Sequence, residues 1–190
     1  QAHGHDQSDF VVTDMLNKEA VKKGMAGCDA VLHCAAIVDL DARNAQKTQE
    51  TNLQSIDAVI GSACELGIGK IIYVSSMSVF YDFSQSEFNE STPLADVQDA
   101  YSLSKKLCEL RVREMQEQGH PIITTYPVAV FGPNDPKLAE SNSAMIKFVN
   151  TVMPLTTSGY QFVDARDIGI AHRLLLKKDI KADKTLERYI

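Results

Sequence analysis

Three residues of this chain, Ser76, Tyr101 and Lys105, carry side chains whose types could move a proton onto or off an oxygen atom. Tyr101 and Lys105 stand four residues apart in YSLSK, a spacing that puts phenol and ammonium on one face of a helix. A phenol whose pKa is about 10 is a poor acid or base at neutral pH, and a fixed neighbouring cation is expected to favour the phenolate and lower that value. A serine hydroxyl beside the pair can hold a carbonyl or alcohol oxygen in line with the proton path. Taken alone, YxxxK also describes a surface lysine beside a half-buried tyrosine, so its meaning depends on the elements that place it.

Those elements read as strands alternating with helices. Phe10 to Thr13 is a short apolar run, expected as a strand ending at Asp14, and Asn17 caps a short helix that Gly27 ends. Ala30 to Ala36 is apolar almost without alternation, as in a parallel strand covered on both faces. Leu53, Ile56, Val59, Ile60, Ala63 and Leu66 recur at intervals of three and four, predicting one long helix over Asn44 to Gly67. KIIYVSS is the next strand, and Asp82 to Asp99, polar and containing Pro93, is a long loop. Ala100 to Gly119 predicts a helix with Leu103, Leu107, Leu110 and Met115 on its buried stripe, followed by a strand in PIITTYPVAVFGP. A short helix around Ala144 to Thr151 and another starting at Asp164 or Asp167 complete the pattern.

Such alternation implies right-handed crossovers and an α/β fold with a doubly wound parallel sheet. Ligands bind such sheets beyond the carboxyl ends of the strands. That singles out Asp14, His33 to Ala36, Ser75, Ser76 and Pro127 to Pro133. The expected organisation is a polar leader over 1–9, a core over 10–133 and a substrate-side segment with a returning helix over 134–190.

Composition narrows the classes of function. The 190 residues are 44% apolar and 23% charged, which argues against intrinsic disorder. The net charge of −6 supplies no basic field for nucleic acid or an anionic membrane surface. The longest apolar stretches fall short of the roughly 20 residues of a membrane helix, and the chain is read as cytoplasmic. Cys28, Cys34, Cys64 and Cys108 lie singly among apolar neighbours, expected as reduced, buried thiols. No metal site is expected, and His3 and His5 are read as part of a mobile leader.

In order along the chain, GCDAVLHCAA, TNLQS, KIIYVSSMSVF, YSLSK, YPVAVFGP and FVDARD resemble the successive motifs of the extended short-chain dehydrogenase/reductases, the NAD-dependent epimerase/dehydratase superfamily. The resemblance runs from about Phe10 to His172 and is strongest to the dihydroflavonol-reductase-like and 3β-hydroxysteroid-dehydrogenase-like branch. It implies a Rossmann-like sheet, here incomplete at both ends, and an oxidoreductase using NAD or NADP to transfer hydride to or from a small-molecule carbonyl or secondary alcohol. By the same resemblance, Tyr101 is the catalytic acid/base, Lys105 its partner and a ligand of the nicotinamide ribose, and Ser76 the hydroxyl that orients the substrate oxygen.

The resemblance assigns Asp14 and Met15 to adenine, with a simple turn at Asp14 as the other reading. His33, Cys34, Ala35, Ala36 and Ser75 would pass beside the cofactor, although His33 reads equally well as a buried core histidine. Pro127, Val128 and Val130 would meet the nicotinamide amide. Asn52, Asp164, Arg166 and Asp167 are given structural roles, and Tyr126 stands where the family often has Arg. A homodimer is implied through the helices Asn44 to Gly67 and Ala100 to Gly119, with Ile60, Cys64 and Leu107 lending apolar surface.

One departure is plain: no glycine-rich turn between a strand and a helix, the device that lets pyrophosphate approach a helix N-terminus, occurs in the sequence. The chain is therefore expected to be part of a longer polypeptide. Two other functions stay open, a nucleotide-sugar epimerase or dehydratase of the same superfamily and a non-catalytic Rossmann-like binding or regulatory protein.

Overall fold

In the computed structural model, which describes residues 10–38, 42–82, 84–85, 87–151, 159–178 and 187–190, β-branched runs become strands where another strand lies beside them. His3 and His5 lie outside the described residues. Two compact units are present, Val11–Tyr126 with Lys178–Ile190, and Pro127–Lys177 together with Phe10.

The first unit holds a parallel sheet of β1 (Val31–His33), β2 (Ile71–Val74), β3 (Ile122–Thr125) and β6 (Arg188–Tyr189), in the spatial order β1-β2-β3-β6. Val31 stands opposite Ile71 and Ile71 opposite Ile122, so one pleat carries Val31, Ile71, Tyr73 and Ile122 into a common core. Ile72 and Ile123, on the other pleat, are equally buried, as the unalternating apolar runs require of a sheet covered on both sides. Among the described residues β1 is an edge strand, limited to Val31–His33 with Leu32 40% exposed, so the strand expected over Ala30 to Ala36 is shorter and covered on one face only, because no described strand lies on its outer side.

Helices α1 (Lys18–Met25), α2 (Ala45–Ser55), α3 (Gly61–Glu65) and α4 (Ala100–Glu117) belong to the same unit. Asn17 caps α1 by accepting from the Ala20 amide at 3.1 Å, and Gly27 leaves it with φ of 81°. α2 packs against α4, and Ile56, Val59, Ile60 and Ala63 join Val112 and Met115 over the Val31–Tyr73–Ile122 face of the sheet.

Several expectations are corrected. Phe10 to Thr13 forms no strand: no described strand pairs with it, Val12 is 99% exposed, and an extended run without a ladder has nothing to hold it. The single helix expected over Asn44 to Gly67 is interrupted by a π turn at Ile56–Ile60, where the Gly61 amide reaches back to the Ile56 carbonyl. The extra residue in that turn re-aims the buried face from Thr48, Asn52 and Ser55 to Ile56, Val59, Ile60 and Ala63.

On α4 the buried stripe is Lys105, Cys108, Val112 and Met115, with Leu110 43% exposed and Leu103 and Leu107 only half-buried. Ile60, expected to lend surface to a dimer, is fully buried in the core. Of the four free cysteines only Cys108 is buried, since Cys28 and Cys34 lie in connections outside the packed elements and Cys64 is half-buried on α3.

The expected strand PIITTYPVAVFGP is two strands in two sheets, because Pro127 has no N–H to continue a ladder and β3 ends at Thr125. The second unit pairs β4 (Ala129–Phe131) in parallel with β5 (Phe162–Asp164) and adds α5 (Glu140–Asn150) and α6 (Ala165–Lys177). Among the described residues no helix is long and apolar enough to cross a membrane.

Candidate active site

At the carboxyl end of β2 the chain leaves the sheet as Ser75-Ser76, and the Ser75 amide is still held by the Thr125 carbonyl at 2.8 Å. Ser76 is extended and caps the tight helical turn Met77–Phe80, its Oγ accepting from the Ser78 amide at 3.2 Å. An acceptor in that bond, the Ser76 hydroxyl keeps its own proton for donation. Tyr101 enters from the first turn of α4, whose start is fixed by Asp99 accepting from the Ser102 amide at 2.9 Å.

The electrostatics differ from the sequence expectation. Burial holds the Tyr101 phenol above its ordinary pKa, with the neighbouring Ser76 hydroxyl acting in the opposite direction. Lys105, one turn along, is 7% exposed and donates to the Val74 carbonyl at 3.3 Å, with its ammonium 5.8 Å from the centre of the Tyr73 ring. Burial also lowers the Lys105 pKa. The ammonium is thus seated on the β2 end, and desolvation sets the phenol's titration.

His33 closes β1 with 4% exposure, its ring stacked beside Tyr73 at 6.2 Å between centroids. Burial, helped by the Lys105 charge, lowers its pKa to about 4, so the ring is neutral at physiological pH. Its Nε2 is buried without a hydrogen-bond partner, as is the hydroxyl of Ser78, while the Ser75 hydroxyl neighbours the Tyr73 phenol. Cys34 and Ala35 follow on the surface, and Ala36 is half-buried.

Asn52 clamps the segment that follows: its Oδ1 accepts from the Ile37 amide at 2.8 Å, while Nδ2 donates to the Ile37 carbonyl and to Ser104 Oγ, each at 3.0 Å. That is a structural role, joining the β1 exit to the helix of Tyr101 and Lys105. Asp14 is an exposed turn former, its Oδ1 accepting from the Leu16 amide at 2.9 Å, and Met15 packs against the core. Pro127 and Val128, both half-buried, and the exposed Val130 belong to the second unit. There Asp164 pairs with Arg166 at 2.6 Å and accepts from its amide at 2.8 Å, a local cap.

Sequence reasoning missed Tyr73, Phe80 and the buried Glu109–Tyr126 pair. Tyr73 was open to discovery, since its position in KIIYVSS shares a pleat with Ile71. The pairing of Glu109 with Tyr126 depends on a packing that no spacing encodes. Among the described residues no group of His, Cys, Asp and Glu side chains could hold a metal ion.

The buried, unpartnered His33 Nε2 at the end of β1 is what a polar ligand there would satisfy. Over 186 residues the chain is 26% identical to a Synechocystis sp. protein that bears the name of a dihydroflavonol 4-reductase, covering 96% of this chain and 54% of that protein. It is 33% identical over 136 residues to 3beta-hydroxysteroid-dehydrogenase/decarboxylase isoform 1 of Arabidopsis thaliana, covering 70% of this chain and 31% of that one. The chain thus spans about half or less of the curated relatives it matches.

A dTDP-glucose 4,6-dehydratase from Streptomyces venezuelae, solved with NAD bound, superimposes with a TM-score of 0.76 at 22% identity, over 95% of this chain and 56% of that one, and shares its fold. With residues 1–186 matched by the pattern of that group of enzymes, the chain belongs to the NAD dependent epimerase/dehydratase family.

Proposed function

We propose that the protein is an NAD-dependent oxidoreductase that interconverts a small-molecule carbonyl and a secondary alcohol, with Ser76, Tyr101 and Lys105 as its catalytic residues. The observation that carries this reading is the placement of the Ser76 hydroxyl beside the half-buried Tyr101 phenol, at the carboxyl end of a central parallel strand. The relatives named for reductase and dehydrogenase activities support it.

The residues present fit the nicotinamide half of the cofactor. The orphaned His33 Nε2 offers unspent hydrogen-bonding capacity, and the small Ala35 and Ala36 leave backbone open beside it. His33, Cys34, Ala35, Ala36 and Ser75 would line this part of the cofactor, and Lys105 would hold its ribose. When bound, NAD supplies the hydride acceptor, or in reduced form the donor.

The chain's own residues handle the oxygen and its proton. Ser76 Oγ donates to the substrate oxygen and fixes it within reach of Tyr101. Tyr101 Oη, its pKa raised by burial, is protonated at neutral pH, the state from which a proton is delivered as a carbonyl is reduced. Alcohol oxidation needs the phenolate, which Lys105 would favour once its ammonium turns from Val74 toward Tyr101.

NADH fluorescence titration, followed by carbonyl-dependent oxidation of NADH with wild type and Ser76→Ala, tests this reading. Binding with turnover that falls in the variant is expected, and failure to bind NAD or NADH overturns it. A redox-neutral epimerase or dehydratase would instead convert a nucleotide sugar without net consumption of NADH. We further propose a cytoplasmic homodimer through the outward face of α4, where Leu103, Leu107 and Leu110 retain exposure, and sedimentation showing only monomer at micromolar concentration counts against it.

A further inference from the structure

Tyr126, the residue that follows β3, touches the turn that Ser76 caps, through Phe80, and the helix that carries Tyr101, through Glu109. Its hydroxyl donates to Glu109 Oε1 at 2.6 Å. Its ring meets Phe80 edge-on at 4.8 Å between centroids. Its amide is held by the Tyr189 carbonyl of β6 at 3.0 Å.

Each partner leads to the site. Glu109 is fully buried on α4, eight residues beyond Tyr101 and four beyond Lys105, so all three fall on one side of the helix. Phe80, fully buried, ends the turn Met77–Phe80 that Ser76 caps. The residue before Tyr126, Thr125, holds the Ser75 amide through its carbonyl. One aromatic side chain therefore bridges the turn of Ser76 and the helix of Tyr101.

We propose that Tyr126 is a positioning residue, which sets the separation of the Ser76 hydroxyl and the Tyr101 phenol by tying the Phe80 turn to Glu109 of α4. The role rests on the reading of Tyr101 as acid/base, and Tyr126 itself touches no substrate. Glu109 keeps a second partner, Arg113 Nε at 2.8 Å, so loss of the Tyr126 hydroxyl leaves the buried carboxylate compensated and the helix formed. What changes is the lateral restraint. A helix is stiff, so a shift at Glu109 is carried to Tyr101, and misplacement of reacting groups by about 1 Å costs as much as a hundredfold in rate.

Two variants of the full protein test this, each removing one arm of the bridge. Tyr126→Phe deletes the bond to Glu109 and keeps the ring, whereas Phe80→Leu deletes the ring contact and keeps the bond. Tyr101 is titrated in each by ultraviolet difference absorbance of the phenolate, with Tyr101→Phe as the blank, and kcat is measured beside the NADH dissociation constant.

Because the Ser76 hydroxyl acts to lower the Tyr101 pKa, separating the two groups moves the phenol titration upward. The expected result is that upward movement in both variants, with kcat lowered about tenfold or more and NADH affinity within about twofold of wild type. A lower melting temperature with unmoved titration and kcat would mean a purely structural role and overturn the proposal. The phenol titration needs no substrate: an active Tyr101→Phe would sink the acid/base reading, whereas an inactive Tyr101→Phe with unmoved titration in Tyr126→Phe sinks only the positioning role.

Discussion

Lys105 Nζ is bonded to the carbonyl of Val74, 3.3 Å away, so the ammonium rests on the end of β2, two residues before Ser76. The same lysine lies over the Tyr73 ring, while burial holds the Tyr101 phenol above its ordinary pKa. Desolvation thus favours the neutral phenol, and the lysine is held by the strand end.

Tyr101→Phe removes the proposed proton donor and leaves the surrounding surface nearly unchanged. Turnover should fall by about 10²- to 10⁴-fold while NADH affinity stays near that of wild type. Steady-state kinetics alongside fluorescence titration separate the two effects, and activity within a few-fold of wild type rejects the assignment.

Lys105→Ala should behave differently, because its ammonium is assigned to both the ribose and the phenol. Loss of a charge-assisted hydrogen bond is expected to weaken NADH binding about tenfold or more, together with turnover. Unchanged cofactor affinity would restrict Lys105 to the phenol.

Acid sensitivity should trace in part to His33. Its folded pKa is about 4 against an ordinary value of 6.5, so between those values the unfolded chain binds more protons. Stability contributed by neutral His33 is complete above pH 6.5 and declines as pH falls toward 4, by up to about 3 kcal/mol. Urea unfolding of wild type and His33→Gln at pH 7 and pH 5 checks this, the variant being expected to lose less between the two.

Asn52→Ala removes three hydrogen bonds, two to Ile37 and one to Ser104 Oγ. A cost of about 2–4 kcal/mol is expected, with faster hydrogen exchange at the Ile37 amide. Wild-type exchange at that amide would show that the clamp is not what protects it.

In the second unit, a Cβ at Gly132 would lie 2.8 Å from Ala165 Cβ, at the first residue of α6. Gly132→Ala should destabilise by about 1–3 kcal/mol, since neither atom sits on a flexible side chain. Adding Ala165→Gly should recover part of the loss in thermal unfolding, and the absence of any recovery would place the strain elsewhere.

Much was legible from the sequence because it is local. Unalternating β-branched runs specify the buried parallel strands β2 and β3, Asn17 and Gly27 mark the ends of α1, and YSLSK on a helix after KIIYVSS brings Tyr101 near Ser76. What the sequence could not decide is which of two equivalent periodicities faces inward. On α4, Leu103, Leu107 and Leu110 share a spacing with Lys105, Cys108 and Val112, and burial fell to the second set because that side meets the sheet and α2. Phe10 to Thr13 has the composition of a strand, yet a strand exists only through a partner's hydrogen bonds. Likewise the direction of the Tyr101 shift, the seat of Lys105 on Val74 and the bridge from Phe80 through Tyr126 to Glu109 depend on burial and on side chains distant in sequence, which meet only once the strands and helices have packed.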